Sequence, residues 1–325
     1  MRVIIPDDYQ DAVRGLACFP RLAGHDVTVF HDTVKELDAL AERLQPAEAL
    51  VLIRERTRID DALLERLPRL RLISQTGKGT AHIDLAACTR RGVVVSAGTG
   101  SPYAPAELTW GLVLAAMRHI PQEAARLRAG SWQSTMGTGL RGRTLGIWGY
   151  GKIGTLVAGY GRAFGMDVLV WGREGSLSRA RAGGYTTARD RQALFEQSDV
   201  LSLHLKLEAE TRGIVTAADL ARMKPGALIV NTSRAELVEP GALEAALRSG
   251  RPGCAAVDVY EEEPVLGARH PLLAMDLPVN KVVCTPHLGY VERDGYELYF
   301  EQAFDQVVAF AAGNPIRVVN PHPSP

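Results

Sequence analysis

An excess of charge of either sign is missing from this chain: 37 Lys and Arg residues balance 37 Asp and Glu residues across 325 positions. That neutrality leaves no electrostatic footprint for nucleic acid or an anionic membrane surface. Cysteine is scarce. Cys18, Cys88, Cys254 and Cys284 are scattered, with no CxxC pair and no histidine at zinc-binding spacing, which points to a reducing cytoplasm and away from a structural metal. Cys254 and Cys284 fall inside apolar strand-like runs, so they are expected to be small buried hydrophobes rather than nucleophiles. No apolar run approaches the roughly 18 residues of a membrane span. The opening MRVIIPDDYQ passes from a short apolar strand straight into acids, without the apolar core and small-residue cleavage site of a secretory signal. Short-period repeats and low-complexity stretches are lacking too.

The remainder is ordinary for a soluble globular protein, with 46% hydrophobic and 23% charged residues. The length exceeds what one hydrophobic core usually organises, which implies two domains or one long α/β domain. Apolar runs alternate with helix-length segments. RVIIP, HDVTVF, ALVLI, LRLIS and GVVVSA come first; TLGIWG, DVLVWG, VLSLHL, ALIVN, CAAVDV and KVVCTP follow. Such alternation means parallel sheets covered by helices on both faces, here as two doubly wound units. Between the sets, Ala104 to Met117 is apolar on nearly every face and reads as a buried helix. The following PQEAARLRAGSWQSTMGTGLRGR reads as a helix plus a loop, with a role in subunit contact. The pattern over 291–312 is helical and stops at Gly313, Asn314 and Pro315. The tail IRVVNPHPSP is expected to return to the first unit, with only its last few residues loose.

The second set opens with LGIWGYGKIG, a strand running into Gly149, Gly151 and Gly154 and then a helix. Gly149 would make the tight turn, Gly151 would let the backbone approach a pyrophosphate, and Gly154 would allow close helix packing. Tyr150, Lys152 and Ile153 complete this dinucleotide-binding loop. An acid for the ribose 2′-OH of NAD is expected about 20 residues after the first glycine. The chain has Gly172 there. A glycine removes the charge that would repel a 2′-phosphate, and Arg173 could pair with one. Glu174 could instead serve the ribose hydroxyls, or Arg173 and Glu174 could form only a solvated turn. The reading is therefore NAD or NADP, with a slight lean to NADP.

Three further segments, NTSRAELV, VDVYEEEP and TPHLGY, end strands of the same sheet and supply Arg234, Glu263 and His287. With these motifs, TGKGTAHIDLAACTRRGVVV, PAELTW, LRGRTLGIWGYGKIG and GNPIRVVN, the sequence resembles the D-isomer-specific 2-hydroxyacid dehydrogenases over essentially its whole length. The resemblance implies an α/β protein of two doubly wound parallel-sheet domains, a Rossmann-type dinucleotide-binding domain and a flavodoxin-like substrate domain, with a cleft between them. The substrate domain would take residues 1–101 and the returning segment 291–325, and the dinucleotide-binding domain 102–290. It also implies an oxidoreductase moving hydride between NAD(P)H and a 2-oxo acid or D-2-hydroxy acid. His287 would be the acid and base, Glu263 would fix its tautomer, and Arg234 would hold the substrate carboxylate. Asp258 and Thr232 would stand near the cofactor. Backbone amides of Lys78 and Gly79 would close on the substrate carboxylate. Apart from the resemblance, Arg54 and Arg56, in LIRERTR after a first-unit strand, are additional candidates for anion recognition.

Departures from the family pattern are Ala235 after the arginine, Lys206 where proline is frequent, the less usual Lys78, and a longer segment between Glu263 and His287, expected to be taken up in a surface loop. His25, His31, His119, His270 and His322 read as surface or loop residues, and His82 and His204 receive no proton-transfer role. The expected partners are a small 2-oxo or 2-hydroxy acid and a second copy of the chain, in the cytoplasm, with no nucleic acid, membrane or metal. The alternatives are a dinucleotide-sensing, corepressor-like protein on the same fold, or a formate- or phosphite-type dehydrogenase.

Overall fold

The computed structural model describes residues 1–275 and 281–321. The chain divides into two compact units, one of Met1–Ser101 together with the chain from Glu292 onward, the other of Pro102–Val291. Every strand pair in both is parallel.

In the first unit, β1 (Arg2–Ile5), β2 (Asp26–Val29), β3 (Ala49–Leu52), β4 (Leu72–Gln75) and β5 (Val94–Ala97) lie in the order β2-β1-β3-β4-β5. β3, β4 and β5 are buried at every residue, as strands covered on both faces must be. Leu50, Leu52, Ile73 and Val95 join one apolar cluster with Leu44, Leu63 and Cys88. Ser74, on the opposite face, donates to the Ala303 carbonyl at 2.9 Å. Ala303 belongs to the long helix Arg293–Ala311, whose start is fixed by the Glu292 carboxylate accepting the Asp294 and Gly295 N–H groups. The tail lies in this unit. Val319 N–H bonds the Val95 carbonyl at 2.9 Å, and Asn320 Oδ1 accepts the Val95 N–H at 2.8 Å. His322 and the end expected to be loose lie outside the described residues.

The second unit contains β6 (Thr144–Trp148), β7 (Asp167–Trp171), β8 (Thr186–Thr187), β9 (Val200–Leu203), β10 (Leu228–Asn231), β11 (Cys254–Val257) and β12 (Val282–Cys284), ordered β12-β11-β10-β9-β6-β7-β8. Alternate residues feed two cores. Leu145, Ile147, Val200, Leu228 and Val230 face one, Trp148, Leu201, Leu203 and Ile229 the other. The helix Tyr103–Met117 buries Trp110, Leu112, Val113 and Met117, as its largely apolar sequence requires. Edge strand β8 went unforeseen because Thr-Thr makes no apolar run.

One expectation needs correction. The segment between Glu263 and His287 is not all loop: Pro271–Ala274 forms a short helix, and residues 276–280 lie outside the described residues. His270 is a loop residue capping that helix, its ring packed on Tyr260 with centroids 4.9 Å apart and its Nδ1 accepting the Leu272 N–H at 3.3 Å.

Candidate active site and cofactor site

Register builds the site. Trp148 pairs with Trp171 and Leu203, Leu203 with Asn231, Asn231 with Val257, and Val257 with Cys284. The residues that follow, Gly149, Gly172, His204, Thr232, Asp258 and Thr285, therefore form one row along the carboxyl edge of the sheet. Open α/β sheets bind ligands at this edge, where the strand order reverses, and β6 lies at that reversal between β9 and β7.

Gly149 leaves β6 at φ +100°, and a Cβ there would run into the His204 carbonyl. A Cβ on Gly154 would strike the Gly149 carbonyl, whereas one on Gly151 would meet no heavy atom within 4 Å. The first and last glycines are thus required by packing inside the protein, and the middle one faces open space. Lys152 begins the helix Lys152–Ala163 beside it, whose first-turn N–H groups have no intrahelical acceptor. An open glycine face against a helix N-terminus fits the pyrophosphate of a dinucleotide. Tyr150 turns inward, 5% exposed, against Tyr185; Ile153 is half-buried.

At the adenosine end, Glu174 opens the helix Glu174–Ala182 and its carboxylate accepts from Arg181 Nη1 at 2.8 Å. Arg173 is largely exposed and reaches Glu208 at 3.3 Å. Sequence reasoning stopped at Arg173 and missed Arg179, which donates to the Tyr150 carbonyl at 3.1 Å and to Ser176 Oγ at 3.3 Å. Ser176 in turn flanks Gly172. The i, i+3 spacing of Ser176 and Arg179 was the available signal. Lys206 is exposed, and its carbonyl accepts from Thr211.

At the other end of the row, His287 Nδ1–H donates to Glu263 Oε2 at 2.6 Å. The acceptor is a carboxylate, so the ring proton on this side belongs to Nδ1. Glu263 Oε1 accepts the Tyr260 N–H at 3.0 Å, which leaves the carboxylate no freedom to turn away. Asp258, fully buried, accepts from Thr285 Oγ1 at 2.6 Å, from the Leu288 N–H at 2.7 Å and from the Gly289 N–H at 2.9 Å. Burial pushes its carboxyl above the ordinary range, and these donors oppose that shift. Asp258 therefore ties down the segment that carries His287. Thr285, Tyr260, whose hydroxyl donates to the Thr285 carbonyl at 2.9 Å, and Tyr290, whose ring stands edge-on to His287 at 5.3 Å, are supporting residues that sequence reasoning did not single out. Their proximity to PHLG and EEEP was the only hint.

Arg234 follows β10 and is half-buried. Its carbonyl accepts from Asn231 Nδ2 at 2.8 Å, and its Nη1 donates to the Ser233 carbonyl at 2.7 Å. Ala235 is buried behind it, so the methyl group is accommodated. Thr232 Oγ1 lies 2.7 Å from Thr109 Oγ1. His204 and His82 are both pushed down to about 4 by burial, which suits neither to proton transfer near neutral pH. Arg54, Lys78 and Gly79 belong to the first unit, where the Arg54 and Gly79 carbonyls share the Gln75 side-chain amide as donor.

A glycine loop at the sheet reversal fits a dinucleotide, and a carboxylate-held imidazole stands further along the same edge. Comparison with known proteins gives the class. Residues 110–289 match the family model described as D-isomer specific 2-hydroxyacid dehydrogenase, NAD binding domain. The chain is 38% identical over 296 residues to the glyoxylate reductase of Aeropyrum pernix, covering 87% of this chain and 86% of that one. It is 37% identical over 255 residues to the D-3-phosphoglycerate dehydrogenase of Methanocaldococcus jannaschii, covering 78% of this chain but 47% of that one. The solved phosphoglycerate oxidoreductase of Vibrio cholerae O395 superposes with a TM-score of 0.93 at 55% identity, over 96% of this chain and 99% of that one. The chain belongs to the D-isomer-specific 2-hydroxyacid dehydrogenase family, and it is an NAD(P)-dependent oxidoreductase.

Proposed function

We propose that the protein interconverts a small 2-oxo acid and a D-2-hydroxy acid, with NADP(H) favoured over NAD(H). The observation that carries the proposal is the 2.6 Å contact between His287 Nδ1 and Glu263. With Nδ1–H committed to the carboxylate, Nε2 is the nitrogen left to give a proton to a substrate carbonyl oxygen during reduction and to take it back during oxidation. Arg234, permanently charged and fork-shaped, holds the substrate carboxylate. In the first unit, the Lys78 and Gly79 amides and Arg54 serve substrate anion recognition. Gly149, Tyr150, Gly151, Lys152, Ile153 and Gly154 wrap the pyrophosphate, and Thr232 and Asp258 line the nicotinamide side. The bound nicotinamide supplies or accepts the hydride.

The lean to NADP rests on the adenosine end. Gly172 offers no acid, Glu174 is engaged by Arg181, Arg173 stands next to Gly172, and Arg179 reaches Ser176, which flanks that glycine. A substrate without a phosphate group, such as glyoxylate or hydroxypyruvate, is proposed because it fits the lean to NADP and because the glyoxylate reductase is matched across most of its length; the phosphoglycerate oxidoreductase matched over 99% of its length makes phosphoglycerate oxidation with NAD the second reading. A homodimer is proposed from the exposed Ile120, Leu127, Trp132 and Met136, the last two 77% and 94% exposed; light scattering of the purified protein checks it. Cytoplasmic location is proposed from the sequence reading; among the described residues no helix is long and apolar enough to cross a membrane.

The test is the purified protein with NADPH or NADH and a panel of 2-oxo acids, followed at the nicotinamide absorbance. NADPH oxidation with glyoxylate or hydroxypyruvate is expected, and no turnover with any pair would sink the proposal in favour of a nucleotide-sensing role. His287→Ala should abolish reduction while cofactor binding persists; full activity in that variant overturns the acid assigned.

A further inference from the structure

Arg54 leaves β3 at φ +55°, a left-handed conformation that a long side chain does not adopt without support. Two buried residues at the end of β4 supply it. Thr76 Oγ1 accepts the Arg54 N–H at 3.1 Å, and Gln75 Nε2 donates to the Arg54 carbonyl at 2.9 Å. Both residues are 1% exposed. Their placement follows from register: Leu52 pairs with Gln75, and the Thr76 N–H bonds the Leu52 carbonyl at 3.1 Å, so the exits of β3 and β4 run side by side.

Gln75 has a second tie. The same Nε2 donates to the Gly79 carbonyl at 2.9 Å, so one buried amide joins the Arg54 turn to the Lys78–Gly79 loop. Gly77, between them, leaves the space that Arg54 Nη1 fills, and a Cβ there would collide with it. The guanidinium lies 5.6 Å from the centre of the buried Tyr299 ring. Gln75 Oε1, by contrast, is buried and finds no donor among the described residues.

We propose that Gln75 and Thr76 are positioning residues for substrate recognition: together they hold the Arg54 guanidinium and the Lys78–Gly79 amides in one fixed arrangement for a carboxylate. The inference rests on the role given above to Arg54, Lys78 and Gly79. Neither residue touches substrate, so their loss should raise KM for the acid and spare both kcat and cofactor affinity.

The experiment compares Arg54→Gln, Gln75→Leu, Thr76→Val and Thr76→Ser with the unmodified protein, with glyoxylate as the varied substrate and the cofactor dissociation constant read by fluorescence. Thr76→Val keeps the shape and removes the hydroxyl, while Thr76→Ser keeps the hydroxyl; melting temperatures show that each variant is folded. Arg54→Gln, Gln75→Leu and Thr76→Val should each raise KM by roughly tenfold, the loss of about one hydrogen bond's worth of binding. Thr76→Ser should stay within about twofold of the unmodified protein. If Arg54→Gln raises KM and Gln75→Leu and Thr76→Val do not, the positioning role is overturned and the role of Arg54 stands. If Thr76→Ser behaves like Thr76→Val, the hydroxyl is not what matters, and the proposal fails. If Arg54→Gln leaves KM unchanged, the role of Arg54 fails and takes the inference with it.

Discussion

His287 sits at φ +50°, where a residue with a Cβ carries strain of order 1–3 kcal/mol. Its N–H to the Thr285 carbonyl at 3.0 Å, its ring bond to Glu263 and the three donors on Asp258 hold it there. Remove Glu263 and the ring is free to turn. Glu263→Leu is therefore expected to lower kcat by roughly a hundredfold with cofactor affinity intact, and a kcat equal to that of the unmodified protein would show that the carboxylate orients nothing. The pair itself was legible in the sequence because EEEP and PHLG stand after two apolar runs. Thr285, Tyr260 and Arg179 were not. A threonine or arginine acquires its job from which backbone group lies opposite it, and register and helix phase are not written in residue type.

At the scale of elements, the glycine loop separates two kinds of requirement that GxGxxG does not distinguish. Gly154→Ala should force the Lys152–Ala163 helix away from the Gly149 carbonyl and lower both melting temperature and cofactor affinity. Gly151→Ala should keep the melting temperature within a degree or two and lose dinucleotide binding, because nothing in the protein lies within 4 Å of the added methyl. Thermal denaturation with and without cofactor checks both; equal destabilisation by the two would contradict this division. On the helix Glu174–Ala182, replacing Arg179 with Gln should reduce the NADPH preference proposed above, measured as a ratio of kcat/KM for the two cofactors. A ratio that does not move would remove the cationic turn as its source. Strand positions were readable because segments buried on both faces are largely apolar. The exception, β8, pairs at an edge and needs no such run.

For the molecule as a whole, formal charge is balanced at pH 7, and two buried histidines add their own terms to its response to acid. His82 and His204, one in each unit, are held at about 4 against an ordinary 6.5. Between those values the unfolded chain binds protons that the folded chain refuses. Each histidine therefore contributes stability that is complete above pH 6.5 and is lost as pH falls towards 4, as much as about 3 kcal/mol apiece. His204→Asn should flatten the decline in urea midpoint between pH 7 and pH 5 relative to the unmodified protein; parallel curves would show that this histidine is not the sensor. The first unit is also assembled from two distant stretches of chain, Met1–Ser101 and the segment after Val291. During synthesis, the nucleotide-binding unit has emerged in full while its neighbour still lacks the helix that covers Ser74 and the tail that meets Val95. The order of translation thus makes the first unit wait, with the exposed face of β4 and β5 as the surface a chaperone would have to shield.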